Sequence, residues 1–351
     1  MVDFSKIPKG EDERKSSKEP VDDRISLHKL NFPSFRQSDT SSAKSLDSSK
    51  IKKDLNIPKS LSDEKGSVKA KSLYSRALNL AEEVFKGEAP KINISDIFSC
   101  VRELSDFIEK DTQELFDFIF SDDSFSGHYL SLNLVNVCIL SLEIGHWFSL
   151  SKDDLIKLGA AGFLHDIGMR RYLPIASLPQ RLSISDFRKI KDHPLQGSEA
   201  LKKIRLDIDV SILAALEQEH ERFNGLGYPR GLKAEQINDF ARIVGLADVY
   251  EALTHKRPYR PAHTAKECIK IILNNKESFS KKVIKALLEK VGLYPRGTPV
   301  TLNTQELAFV VRRNPALPTS PLVKVLIDSQ GRRLEKPKEI DLSRSPGFYI
   351  A

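Results

Sequence analysis

The chain has 351 residues, a formal net charge of +7, and 40% hydrophobic and 29% charged side chains. That is enough apolar surface for a sizeable core, it excludes a wholly disordered chain, and at about 150 residues per domain it suggests two or so folded units. Residues 1–65 hold 14 Lys/Arg against 12 Asp/Glu and residues 296–351 hold 9 against 5, so no basic face is concentrated between them and neither DNA nor RNA is an expected partner.

In chain order, residues 1–65 are rich in Ser, Lys and Asp and poor in periodic apolar residues. Such a stretch buries too little surface to offset chain entropy and predicts a disordered arm. Residues 66–125 predict a helical N-terminal region. Leu73, Ala77, Leu80, Ala81 and Val84 share one face before Gly87 and Pro90, and Ile97, Val101, Leu104 and Ile108 repeat the spacing within 94–120. Residues 126–292 form the expected main domain, helical over 129–148, 152–167, 185–203, 209–221, 234–254, 264–275 and 280–290. Asp209 and Ser280 are its expected N-caps, and NGLGYPRG is a loop. Residues 293–351 predict a small β-rich appendage, with β-favouring runs at 300–302, 307–311 and 323–327. The fold class is therefore mainly α, a helical core with a small β appendage.

The apolar stretch 130–150 is interrupted by Asn133, Asn136, Glu143 and His146, and about 20 predominantly apolar residues are needed to span a bilayer, so no membrane span is predicted. The N-terminal MVDFSKIPKGEDERKSSKEP lacks an apolar signal core, which points to the cytoplasm. Cys100, Cys138 and Cys268 are odd in number and form no CxxC, which excludes a disulfide framework and a cysteine zinc knuckle.

The informative residues are polar ones stranded on apolar faces. His165 and Asp166 interrupt AAGFLHDIGM, a stretch that otherwise reads as buried. A buried carboxylate without a partner costs several kcal/mol, about 2–7 for a neutral polar group and more for a charge. A His-Asp pair at a helix end could equally turn to solvent, but this pair is not alone. Asp248 shares a helical face with Ala241, Val244, Gly245 and Ala252, and Asn133 aligns with Leu130, Val137, Leu140 and Ile144. His193 opens HPLQG, and Glu219, His220 and Glu221 close a helix before the Gly-rich loop. Imidazole nitrogen with carboxylate oxygen suits Fe, Mn or Zn better than Ca²⁺ or Mg²⁺.

In that order, LHDIG, HP-x-x-G, EHERFNGLGYPRGL, ARIVGLADVYEAL and HKRPYRPA resemble the HD-GYP domain, a branch of the HD phosphohydrolases whose characteristic substrate is cyclic di-GMP. The resemblance covers roughly residues 71–351, makes 126–292 the HD-GYP phosphohydrolase domain, and implies an HD-type helical bundle around a di-metal or tri-metal centre. It implies His165, Asp166, His193, Glu219, His220 and Asp248 as metal ligands, with Asp166 bridging, and Asn133 as a weak ligand where the family has His. His165 and Asp166 are the implied catalytic pair. Arg257 and Arg260 match positions that hold substrate phosphates, and Gly227, Tyr228 and Pro229 are the GYP signature, implied to bind substrate. The departures are Asn133; Glu219 for the first His of the HHE motif; Tyr129 for the Glu that holds a third metal; Met169 for the Lys of HDIGK; and Asn224 for the Asp of DGxGYP. Arg170 or Arg171 could stand in for part of that Lys.

The implied cofactor is two metal ions, divalent or mixed-valence, Fe or Mn with Zn as the alternative. The implied function is phosphodiesterase: a hydroxide bridging two metals attacks phosphorus and opens cyclic di-GMP to pGpG, or to GMP after a second cut, attenuated by the departures. The alternative is a catalytically impaired HD-GYP module that senses cyclic di-GMP or docks a protein partner; hydrolysis of another phosphoester is a third reading. No oligomeric state is implied. His128, His146, His255 and His263 are expected to be exposed or incidental, Trp147 to be packed core, and Arg312, Arg313, Arg332 and Arg333 to lie on a solvated β surface.

Overall fold

The computed structural model describes residues 24–25, 65–86, 92–110, 112–119, 129–177, 182–256 and 262–351. The arm expected over 1–65 lies outside them apart from Arg24–Ile25, which pair antiparallel with Leu182–Ser183, and Lys65. Twelve α-helices are described: α1 (Lys65–Phe85), α2 (Ile94–Lys110), α3 (Thr112–Ile119), α4 (Tyr129–Trp147), α5 (Lys152–Leu164), α6 (Leu173–Ala176), α7 (Ile184–Ile190), α8 (His193–Ile204), α9 (Val210–Gln218), α10 (Asp239–Thr254), α11 (Ala265–Asn274) and α12 (Lys281–Lys290). Four strands follow, β1 (Pro299–Thr301), β2 (Leu307–Arg312), β3 (Leu322–Ile327) and β4 (Arg333–Asp341), in one antiparallel sheet of order β1-β2-β3-β4.

Helix α4 is the hub, with α1, α2, α5, α10 and α12 all packed on it. Its sequence YLSLNLVNVCILSLEIGHW has no polar face, and residues from Leu130 to Gly145 are buried almost without exception. A helix apolar all round belongs inside a large core or a membrane. By length and composition α4 could cross a bilayer, but 83% of its apolar window is buried by its own neighbours. In α2 the apolar positions Ile94, Ile97, Val101, Leu104 and Ile108 are the buried ones, the three-to-four spacing that one packed face requires.

The helices break where the backbone must deliver a side chain. The run expected over 152–167 ends at Leu164, and Asp166 takes φ −99°, ψ 16° before a 3₁₀ turn over Ile167–Tyr172. That is the sparsely populated bridge region, where many active-site residues sit. The run expected over 185–203 splits into α7 and α8, with Pro194 in the first turn of α8, a position where a missing N–H costs nothing. Asp209 caps α9 by accepting from the Ser211 amide at 2.8 Å, whereas Ser280 precedes α12 without a capping hydrogen bond.

Strand β4 has no alternating pattern because RLEKPKEID is an exposed edge strand in which Ile340 is the buried residue. Lysines and a proline are the devices that keep such an edge from pairing further. Arg313 departs from the solvated surface expected of it: its guanidinium lies 5.9 Å from the Phe116 ring centroid, and burial lowers its pKa. It ties the appendage to α3. Trp147 is half-buried rather than core, its Nε1 donating to Glu289 at 2.5 Å.

Candidate metal centre

Five elements converge on one buried cluster of side chains. His165 ends α5, Asp166 stands on the turn behind it, His193 opens α8, Glu219 and His220 end α9, and Asp248 lies on α10. His165, His193, Glu219 and His220 are buried, and the Asp166 and Asp248 side chains are only 14% and 13% exposed. One ligand atom from each of Asp166, His193, Glu219 and His220 lies within 4.8 Å of the others. The Asp166 carboxylate faces two ways: Oδ1 is 3.0 Å from His193 Nε2, and Oδ2 is 3.7 Å from His165 Nε2. His165 Nε2 is also 3.8 Å from Asp248 Oδ1.

Backbone carbonyls orient two of the imidazoles. His165 Nδ1 is 2.8 Å from Gly162 O, and His193 Nδ1 is 2.8 Å from Ile190 O. A carbonyl can only accept, so each Nδ1 carries the proton and each Nε2 is turned into the cluster, the arrangement metal-binding histidines use. His193 Nε2 then meets His220 Nε2 at 3.1 Å. Two ring lone pairs at that distance repel unless a proton or a cation lies between them. His165 Nε2 and both Glu219 oxygens are buried and lack a hydrogen bond, although His220 Nε2 is 2.9 Å from Glu219 Oε1.

The charges fit a cation. Burial disfavours the His193 imidazolium, but Asp166 and Glu219 more than offset that and raise its pKa to about 10. Burial raises the Glu219 carboxyl, and His220, His193 and His165 outweigh it, so the net direction is down. Asp248 is pushed up by burial and by the like charges of Glu219 and Asp166, which His165 does not cancel. Three imidazoles and three carboxylates with orphaned, inward-facing atoms are a donor set that fits a transition metal.

The GYP loop walls the cluster. Tyr228 stacks on His220 at 4.6 Å between ring centroids and meets Phe187 edge-on at 6.1 Å. Gly227 is packed so that a Cβ would strike the backbone of His220, Glu221 and Arg222. Pro229 follows a cis peptide bond. Glu221, a buried residue outside the predicted ligand set, folds the loop by accepting from the Arg230 and Leu232 amides at 2.7 and 2.9 Å. Lys191 Nζ lies 5.2 Å from the Tyr228 centroid. Arg257 and Arg260 lie outside the described residues.

Several residues meet partners that the sequence did not announce. Asn133 reaches the edge of the cluster, but its Nδ2 donates to Asp248 Oδ1 at 3.0 Å and to Glu251 Oε2 at 2.7 Å. Glu251 is 1% exposed and stands one helical turn beyond Asp248. It was missed because an acid near a helix end reads as solvated; its offset of three from Asp248 was the available signal. His255 is not incidental, its Nε2 sitting 2.7 Å from Ile119 O. Met169 packs with Leu130, Ala176 and Ile190. Arg170 donates to Lys86 O and Arg171 to Gln196 Oε1, at 2.7 and 3.2 Å. Tyr129 donates to Ala176 O at 2.9 Å, and Asn224 braces the loop through the Leu226 amide and Ser278.

Residues 117–283 match the HD domain, and residues 299–351 match the KOW domain associated with HD domain. The chain is 32% identical over 221 residues to cyclic di-GMP phosphodiesterase PA4108 of Pseudomonas aeruginosa, covering 63% of this chain and 53% of that protein. It is 25% identical over 224 residues to cyclic di-GMP phosphodiesterase PdeB of Borreliella burgdorferi, covering 63% and 58%. The chain thus spans little more than half the length of these relatives. Among solved structures, Bd1817, an HDG"Y"P protein from Bdellovibrio bacteriovorus, shares the fold with a TM-score of 0.52 at 20% identity, over 68% of this chain and 77% of that one. Residues 117–283 are thus similar to the HD domain, and the His/carboxylate set within them could hold a metal ion.

Proposed function

We propose that this chain is a metal-dependent phosphodiesterase that opens cyclic di-GMP to pGpG, with GMP following a second cut. The observation that carries this reading is the convergence of Asp166, His193, Glu219 and His220, with one ligand atom from each within 4.8 Å of the others and both buried Glu219 oxygens lacking a hydrogen bond. In this reading residues 126–292 are the catalytic domain, flanked by the helical region 66–125 and the appendage 293–351, and the protein works in the cytoplasm.

Two ions, Fe or Mn, would be held by this chain. Asp166, His193, Glu219 and His220 would hold one, and His165, Asp248 and Asn133, with Asp166 shared, would hold the other. Bound metal supplies positive charge for the phosphoryl oxygens and makes coordinated water acidic. The protein's part is positioning. The backbone carbonyls of Gly162 and Ile190 fix two imidazoles, and burial keeps the carboxylates in low dielectric, where they act strongly. Tyr228 closes one wall, and Arg257 and Arg260 would clamp phosphate with their planar forks.

Incubation with cyclic di-GMP and Mn²⁺ or Fe²⁺ is expected to yield pGpG, read by chromatography. Absence of product overturns the enzyme reading. Tight binding without turnover would instead favour the sensor, a reading that rests on Met169 and on the engagement of Arg170 and Arg171 elsewhere.

A second expectation follows from His193. Its pKa near 10 in the metal-free site means that Nε2 is protonated at neutral pH and that a metal must displace this proton. Apparent Mn²⁺ affinity is therefore expected to rise with pH, by about tenfold per unit for one displaced proton. Titration between pH 6 and 8 checks this, and a flat profile contradicts it.

A further inference from the structure

Asn133 uses one end of its amide and leaves the other end unused. Both hydrogens of Nδ2 are spent, on Asp248 Oδ1 and Glu251 Oε2. Oδ1 is buried and has no hydrogen-bond partner. An unsatisfied buried acceptor calls for a reason. An amide can turn end for end, but here that would aim its oxygen at two carboxylate oxygens. The two acids therefore dictate which end is free. Glu251 is the firmer of them. It is held by Asn133 on Oε2 and by Asn136 Nδ2 at 3.2 Å on Oε1, with His255 Nδ1 3.3 Å from Oε1. Asn136 is braced in turn by the Tyr74 hydroxyl, which donates to its Oδ1 at 2.7 Å. The chain of contacts runs from Tyr74 on α1 through α4 to α10 and ends on Asp248, 3.8 Å from His165 Nε2.

We infer that Glu251 is a positioning residue: it locks the Asn133 amide so that Oδ1 serves as an oxygen ligand for the cation beside His165 and Asp248. This rests on the metal-dependent reading above. It accounts for the neutral amide at that position: the carbonyl oxygen takes the place of the absent imidazole, and its orientation comes from an acid one helical turn beyond Asp248.

Glu251 accepts from one amide on each oxygen, so Glu251→Gln keeps both only if Asn136 turns end for end and the Tyr74 hydroxyl accepts where it now donates. Adding Asn136→Asp reverses the second pair. The new amide at position 251 then accepts from Asn133 and donates to the new carboxylate at position 136, which can still accept from Tyr74. The test is Mn²⁺ binding by the full-length chain, measured by equilibrium dialysis together with the electron paramagnetic resonance signal of a coupled Mn pair. Wild type is expected to take up two ions. Glu251→Gln is expected to weaken the second ion by about 10–100-fold, the usual effect of removing an outer-shell partner, to lose the pair signal and to keep the first ion. Glu251→Gln with Asn136→Asp is expected to regain both.

Two tightly held ions in Glu251→Gln, or a folded double variant as weak as the single, would overturn the inference. If Glu251→Gln does not fold, Asn133→Leu carries the test, because it removes Oδ1 directly; a second ion held there at wild-type affinity would overturn it equally. Failure of wild type to bind any Mn²⁺, Fe²⁺ or Zn²⁺ would instead sink the metal-dependent reading, and this inference with it.

Discussion

Asp166→Asn is expected to abolish the proposed turnover of cyclic di-GMP and, of the two ions proposed, to leave at most one bound. The substitution keeps the shape and removes the charge at the one side chain that faces both halves of the cluster, 3.0 Å from His193 Nε2 on one oxygen and 3.7 Å from His165 Nε2 on the other. An amide presents one oxygen and one NH₂, so one half of the site must meet a donor where a metal ligand belongs. Loss of a ligand that stabilises charge at phosphorus is worth several kcal/mol, about 10³-fold in rate at ~1.4 kcal/mol per decade. His193 also loses its nearest anion, so its raised pKa should fall toward the ordinary imidazole range. Elemental analysis and product chromatography on the same preparation read both effects. Two ions retained at wild-type affinity would show that Asp166 does not bridge.

Gly168→Ala is expected to be nearly as damaging, without touching a ligand. A Cβ at Gly168 would overlap the carbonyl oxygen of His193 and stand 2.8 Å from the Gly197 amide nitrogen. Both obstacles are backbone, so neither can swing aside. The turn that carries Asp166 must then part from the helix that carries His193. Overpacking of this kind costs about 1–3 kcal/mol, and at roughly 2–4 °C per kcal/mol for a domain of about 150–250 residues the melting temperature should fall by several degrees. Metal uptake should fall with it, because the two ligands separate. Gly347→Ala is the control, since nothing lies within 4 Å of its added Cβ. If Gly168→Ala melts and binds metal like Gly347→Ala, the close approach does not hold the site together.

The helical core and its β appendage were legible because their signals are local. The three-to-four spacing in α2 and the all-apolar character of α4 follow from which faces must be buried. The candidate ligands His165, Asp166 and Asp248 were legible for the converse reason: they interrupt apolar patterns, and a buried charge needs a partner. Strand β4 was missed because an exposed edge strand has no face to bury and hence no alternation to read. The helix through Asp166 was overextended because AAGFLHDIGM has no proline, and its one glycine before the turn, Gly162, lies inside the helix.

The order and polarity of the residues determined that the chain forms a helical bundle and that imidazoles and carboxylates would be carried into its interior. Packing decided what each then meets. Asn133 finds Glu251 from 118 positions away, Arg170 is drawn to Lys86, and His255 reaches Ile119. Such pairings arise where helices cross, and crossings are set by the fit of whole faces rather than by the spacing of residues along one segment.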